Sequence, residues 1–368
     1  MVTVYVPDIG DGLAAGIKTL TGCNIQIDCG SQQRPERAFR QGLCLIDPDV
    51  FILSHFHADH YNGLFESNHL RQDRSSTSSW FITSIKEVYF PRLPQFSQRD
   101  SFLQCMLAMN RRVLGDTTGS MEADFLHIIS QVNNQTFNYS SLSAGDTIQV
   151  EGSEIEVLWP PRTLDDENVL KVIRKAVSDF ESAKVEDETL RRIYEELGES
   201  GAIRQYTDDN NQHRELPGKA NEPREAIHVP IEKRELPEVV KRANGSLRSA
   251  ANHLSLAFHE DNKFLFMGDL ESSEIKQVVD RLLKKKREHF LVFITPHHGT
   301  HWHQALGNLR ADSAISSVGN RLFKHLSPEF KSMASQCLYT HLSGDIEVPV
   351  LSQWWYGHRP IHKGSTFL

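Results

Sequence analysis

The chain predicts an α/β fold with a charged, largely helical insertion, and three observations carry that expectation. Apolar runs of strand length recur over residues 1–160 and again over 250–340. Several of these runs end directly in histidine or aspartate. Between the two regions, residues 162–248 are rich in Glu, Lys, Arg and Asp and follow helical spacing.

Val2 to Val6 alternates as a strand does, and Asp8-Ile9-Gly10-Asp11-Gly12 is turn chemistry. Ile25 to Ile27 precedes Asp28-Cys29-Gly30. Val50 to Leu53 leads into His55-Phe56-His57-Ala58-Asp59-His60, and Ile85 to Phe90 is a further strand. Residues 98–135 read as helical, with Phe102, Leu103, Met106, Leu107 and Met109 on an apolar face and a second helix over Glu122 to Val132. Thr147 to Val150 and Ile155 to Trp159 are strands around Glu151-Gly152-Ser153, and Pro160-Pro161 closes this half.

Helical stretches follow at 167–182 and 186–197, then a polar segment, Tyr206 to Gln212, and a proline-broken run over 217–237. This block reads either as a solvated insertion with a mobile loop or as a lid or partner-docking element. Leu254 to Phe258 and Phe264 to Met267 flank a hairpin turn at His259 to Lys263, and the second strand runs into Gly268-Asp269. A basic amphipathic helix, Ser273 to Glu288, leads to the strand Phe290 to Ile294 and to Thr295-Pro296-His297-His298-Gly299. Ala314 to Val318 and Leu338 to Thr340 are the last core strands.

The 368 residues are 39% apolar and 24% charged, which suits a soluble protein with a sizeable core. No apolar stretch approaches the ~20 residues that cross a bilayer, and Met1 to Pro7 lacks the pattern of a signal peptide. Cys23, Cys29, Cys44, Cys105 and Cys337 are odd in number and without C-x-x-C spacing, so neither a disulfide framework nor a thiolate metal site is expected. A reducing cytoplasm is the expected location. A net charge of −8 argues against a bulk nucleic-acid binder while leaving room for a local basic groove.

The spacing H-x-H-x-D-H at His55 to His60 puts four metal-ligand side chains at the end of one strand. Asp269 and His297-His298 end two more apolar strands. A rigid sheet that presents ligands at its strand ends preorganises a metal site, and an apolar core alone has no use for a carboxylate there. The closeness of His57 and Asp59 suggests two metals, which together serve hydrolysis by activating water and clamping the oxygens of a displacement.

These motifs resemble those of the metallo-β-lactamase superfamily: H-x-H-x-D-H after a strand, the upstream Ile27-Asp28-Cys29-Gly30, Phe266-Met267-Gly268-Asp269 and Pro296-His297-His298-Gly299. Within it they are similar to the hydrolase domain of ComEC-type competence proteins, through Asp8 to Gly12, Ser54 to Gly63, Asn252-His253-Leu254-Ser255-Leu256, Gly268-Asp269-Leu270-Glu271, and Ser317-Val318-Gly319-Asn320 with His325 and Pro328. The resemblance implies an αββα sandwich with metals at one edge of its two sheets. It spans residues 1–368 as one hydrolase domain, interrupted at about 66–140 and 162–248.

Carried over by residue, the resemblance implies His55 and His57 at a first metal, Asp59 and His60 at a second, and Asp269 bridging both. His298 is the further ligand, with His297 its alternate or a supporting partner. Asp28 would orient the histidine loop. His253 either supplies the superfamily's extra ligand or stands outside the site, with Asn252 beside it. His325 either donates to a phosphate or leaving group or is structural. Asp59 would position or deprotonate the water. The metals are expected to be Zn²⁺ or Mn²⁺. His127, His213 and His228 read as surface residues, Lys284 to Arg287 as a solvated helix end, and Trp354 to Arg359 as packing with a solvated terminus.

The expected activity is that of a metal-dependent phosphodiesterase or nuclease on nucleic acid or a nucleotide. A small-molecule ester, lactone or amide hydrolase on the same site is the alternative. A third reading is a hydrolase subunit regulated by a partner that docks on 162–248.

Overall fold

The computed structural model describes residues 2–19, 21–66, 83–118, 124–150, 153–208, 214–219 and 235–350. The first strands are β1 (Val2–Val6), β2 (Gly12–Lys18), β3 (Asn24–Ser31), β4 (Val50–Ile52) and β5 (Glu87–Pro91). Helices α1 (Arg99–Thr118) and α2 (Phe125–Val132) precede β6 (Phe137–Leu142), β7 (Thr147–Val150) and β8 (Ser153–Trp159). Then come α3 (Glu167–Glu186), α4 (Glu188–Ser200), α5 (Ala202–Thr207), β9 (Arg214–Leu216) and α6 (Glu238–Asn252). The chain continues through β10 (Ala257–Glu260), β11 (Phe264–Phe266), α7 (Ser272–Lys284), β12 (His289–Ile294), β13 (Arg310–Ser316), β14 (Ala334–Tyr339) and β15 (Ile346–Val350).

The strands form two sheets, in the orders β15-β1-β2-β3-β4-β5-β6-β9 and β14-β13-β12-β11-β10-β8-β7. Strand alternation decides what each face buries. Val50 and Ile52 face the space between the sheets while Phe51 faces out, and Phe264 and Phe266 face in while Leu265 faces out. The inner core therefore takes Val4, Ile27, Ile52, Phe258, Phe266 and Ile294. The outer face of the second sheet is covered by α7 through Ile275, Val278, Val279 and Leu282. The layer order is helix, sheet, sheet, helix, the expected αββα sandwich.

The outer face of the first sheet is covered by α1, α2, α3, α4 and α6. On α3 the buried positions are Val169, Ile173, Ala176, Phe180 and Ala183, one stripe of a helix whose other face is polar. So the segment 162–248 is a packed layer of the sandwich where it is described. The segment 66–140 contributes β5, which lies between β4 and β6 within the first sheet. Tertiary placement, which local pattern does not carry, makes both segments part of the core.

Several boundaries differ from expectation for local reasons. The helix expected from Glu122 starts at Phe125, where Asp124 accepts from the amide of Leu126. The strand expected from Leu254 starts at Ala257, because α6 runs to Asn252 and closes in turns, Leu254 N to Ala251 O and Ser255 N to Asn252 O. The helix expected to reach Glu288 ends at Lys284, with Lys286 in a left-handed conformation. Strands β2, β6, β9 and β15 carried too little pattern to be expected: β2 is rich in Gly and Ala, β6 and β9 are polar, and β15 contains a proline. His127 is half-buried on α2. His213, His228, residues 209–212, 220–234 and the tail 354–359 lie outside the described residues.

A buried ion pair joins the helical layer. Arg112 of α1 donates from Nη2 to Asp187 Oδ2 at 3.0 Å and from Nε at 3.1 Å, and Asp187 also accepts from the Leu190 amide at 2.8 Å to cap α4. Asp187→Ala removes the counter-charge and the cap together. The expected cost is about 3–5 kcal/mol, read as a lower urea midpoint; an unchanged midpoint would contradict this packing.

Candidate metal centre

Strands β3, β4 and β5 run parallel, as do β11, β12 and β13. Ligand-type residues follow the carboxyl ends of β4, β11 and β12, where open α/β sheets leave a crevice. The two sheets are joined at this edge by the hydrogen bond from Leu256 N to Ser54 O, 2.7 Å. His55, His57, Asp59, His60, Asp269 and His298 are all buried there.

Asp28, fully buried within β3 and left-handed at φ 54°, orders the histidine loop. Its carboxylate accepts from the Ser54 amide at 2.7 Å, from Ser54 Oγ at 2.6 Å and from His60 Nδ1 at 2.7 Å. Because the one hydroxyl proton of Ser54 goes to Asp28, Oγ accepts from His55 Nδ1 at 2.9 Å. Both rings thus carry a proton on Nδ1 and turn Nε2 toward the centre. His298 is fixed in the same sense, with Nδ1 donating to the Ser317 carbonyl at 3.0 Å. Such bonds to the far nitrogen fix the tautomer and orientation of a metal-binding imidazole.

Three Nε2 atoms face Asp269 Oδ2: His60 at 3.6 Å, His298 at 3.7 Å and His55 at 3.9 Å. These distances are too long for hydrogen bonds. They approach the ~3.4 Å spacing of donor atoms around an ion bound at ~2.0–2.1 Å. His57 Nδ1 stands 2.8 Å from His55 Nε2, while the Nε2 atoms of His57 and His60 are buried without a hydrogen-bond partner. His55, His60 and Asp269 are grouped closely enough to hold one ion. Buried lone pairs converging on a carboxylate fit a divalent cation.

The electrostatics agree. Burial would raise Asp269, yet His298, His297 and His60 hold its carboxyl well below the ordinary carboxylate range. Burial would lower His60, yet Asp28 and then Asp269 push its imidazole well above the usual value. Burial, followed by the Arg248 guanidinium, pushes His57 down to about 3. Asp59 is buried, which opposes ionisation, but Arg248 holds it well below its usual range. The carboxylates of Asp28 and Asp269 thus favour positive charge at His60 while His55 and His57 are held neutral, and a bound cation would supply that positive charge in place of a proton.

Asp59 Oδ2 accepts from Gln32 Nε2 at 2.6 Å and from Arg248 Nη2 at 2.8 Å. Gln32 Oε1 in turn accepts from Arg321. Arg321 belongs to the short helix Asn320–Phe323, whose start is held by Asp11: the Asp11 Oδ1 accepts from the Gly319 amide at 2.9 Å. A cavity of about 410 Å³ opens beside Asp59, lined in part by Gln32, Asn62, Asn110, Asn244 and Arg248.

The remaining expected site residues lie differently. His297 turns away from His298 toward Glu271, and Asn252 donates to Glu271 Oε1 at 3.1 Å. His253 places Nδ1 3.0 Å from Glu274 Oε1 and accepts from Trp159 Nε1 at its carbonyl, 2.8 Å; among the described residues these contacts lie away from the cluster. His325 is exposed, with its amide bonded to the Leu322 carbonyl. Sequence reading missed the roles of Ser54, Gln32, Arg248, Ser317, Glu271 and His301. Ser54 and Ser317 stand within the motifs of the resemblance, Glu271 two residues after Asp269 and His301 four after His297, whereas Gln32 and Arg248 carried no local signal.

No family model matches the chain, and no curated protein matches it. Among solved structures it is similar to the metallo-beta-lactamase fold protein YhfI from Bacillus subtilis, at 8% identity over 94% of this chain and 100% of that one, with a TM-score of 0.39. It is similar to a diphosphatase from the PhnP family, at 10% identity over 95% and 98% of the two chains, with a TM-score of 0.38. A long-form RNase Z from yeast is 8% identical over 86% of this chain and 36% of that one, with a TM-score of 0.38. Among the described residues, no helix is long and apolar enough to cross a membrane.

Proposed function

We propose that the chain is a metal-dependent hydrolase of phosphodiesters in nucleic acid or nucleotides, with His55, His57, Asp59, His60, Asp269 and His298 holding two divalent ions. The observation that carries this reading is the convergence of three buried imidazole nitrogens, those of His55, His60 and His298, on Asp269 Oδ2. Ions at such a site supply Lewis acidity and a water acidic enough to react near neutral pH.

The chain's own residues supply the rest. Asp28 and Ser54 hold the His55 and His60 rings, and the Ser317 carbonyl holds His298, so that ligands need not reorganise on loading. Asp59 is kept ionised and thus able to accept a proton or a cation. Arg248 and, through Gln32, Arg321 bring two guanidiniums to the edge of the centre. Guanidinium is suited to phosphate oxygens and offers little to a neutral ester. This favours a phosphodiester over the ester or lactone alternative, and the ComEC-type motifs point the same way. The cavity beside Asp59, about 410 Å³, is of a size for a nucleotide unit.

The test is substrate-selective. Arg248→Ala is expected to lower kcat/KM for bis(p-nitrophenyl) phosphate about 10- to 100-fold, the worth of one charge-assisted hydrogen bond, and to spare p-nitrophenyl acetate. Equal losses on both substrates, or no loss on the diester, would remove the case for an anionic substrate.

A further inference from the structure

Glu271, His297 and His301 form a separate group of donor atoms, all within 4.8 Å of one another. The turn that builds it is unusual. His297 and His298 are consecutive left-handed residues at φ 50° and 58°, a conformation that non-glycine residues adopt at a cost. Their rings stand 6.3 Å apart at 81°, which sends His298 to Asp269 and His297 to Glu271. His297 and His301 then stack, with centroids 3.9 Å apart and planes at 15°.

Hydrogen bonding does not account for this group. His301 Nε2 lies 3.3 Å from Glu271 Oε2, but His297 Nδ1 is 4.0 Å from Glu271 Oε1 and is buried without a partner. Asn252 is independent of the histidine loop and is 7% exposed. It bonds Glu271 through Nδ2 and leaves its Oδ1 buried with no partner. Each orphaned group is costly in a neutral network. A cation answers the first, since the imidazole nitrogen becomes a ligand, and the Asn252 amide, turned end for end, would offer its oxygen to the same ion. Amide orientation is an assignment that a cation would reverse.

We propose that Glu271, His297 and His301, with the Asn252 amide oxygen, bind a further divalent cation of the zinc class at the rim of the main centre. Two imidazoles with a carboxylate are zinc-type donors, whereas an all-oxygen set would favour magnesium or calcium. The ion ties together the end of α6, the segment before α7 and the loop after β12. It also holds the strained turn that aims His298 at Asp269.

The test is zinc content per folded chain after Zn²⁺ loading and dialysis. It compares wild type, the rim variant His301→Ala, the main-centre variant His57→Ala/His60→Ala, and the triple variant. Circular dichroism establishes folding, and His301 is exposed enough for its removal to be tolerated. The rim variant should hold one ion fewer than wild type. The main-centre variant should keep one ion, which the triple variant loses, and Zn²⁺ should raise the melting temperature of the former but not of the latter. A rim variant with wild-type zinc content overturns the rim site while leaving the main centre intact. A main-centre variant with wild-type zinc content leaves the rim site standing and removes the proposed hydrolase centre.

Discussion

Asp269→Ala is expected to strip bound metal from the main centre and to lower hydrolysis of bis(p-nitrophenyl) phosphate by about a thousandfold. The scale follows from removing several kcal/mol of transition-state stabilisation at about 1.4 kcal/mol per decade. The physical reason is that one oxygen, Asp269 Oδ2, faces His55, His60 and His298 at 3.6–3.9 Å. Without it, three imidazole nitrogens are left with no shared anion to hold positive charge between them. Asp269→Asn, which keeps the shape and loses the charge, should do nearly the same harm. Metal content by atomic absorption and initial rates check both variants. Wild-type metal content in either one would place the centre elsewhere.

Asp28→Ala should damage the protein in a different way. The carboxylate is fully buried and serves three donors: the Ser54 amide, Ser54 Oγ and His60 Nδ1. Removing it leaves those donors in an interior that water does not reach, at an expected cost of about 3–5 kcal/mol read by urea denaturation. It also frees the His55 and His60 rings to turn, so metal affinity should fall about 10- to 100-fold. Asp28→Asn separates backbone from charge, because asparagine tolerates the left-handed conformation at φ 54° as well as aspartate does. If that variant keeps both stability and affinity, the carboxylate is not what orders the loop.

These residues differ in how far the sequence discloses them. His55, His57, Asp59 and His60 are legible because one loop carries them all and an apolar strand delivers them. Asp269 and His298 are legible because each follows such a strand. Asp28 is visible only through the resemblance, since nothing in Ile27-Asp28-Cys29 says that its carboxylate meets Ser54 and His60. Arg248 is invisible to pattern: it is one charged residue on an amphipathic helix, and only the packing of α6 on the first sheet brings it to Asp59. The same long-range packing turns the charged block at 162–248 into a layer of the sandwich. His297 and His298 show the limit most clearly. The two residues are chemically identical, and what separates their roles is a pair of left-handed backbone angles.

The measurement that reaches the central claim most directly is metal content of the purified chain alongside bis(p-nitrophenyl) phosphate turnover, before and after chelation and again on restoring Zn²⁺ or Mn²⁺. The account predicts bound divalent metal, turnover lost with the metal, and turnover recovered on its return. Turnover that survives complete removal of metal, or a folded chain that takes up no divalent ion at repletion, would contradict it.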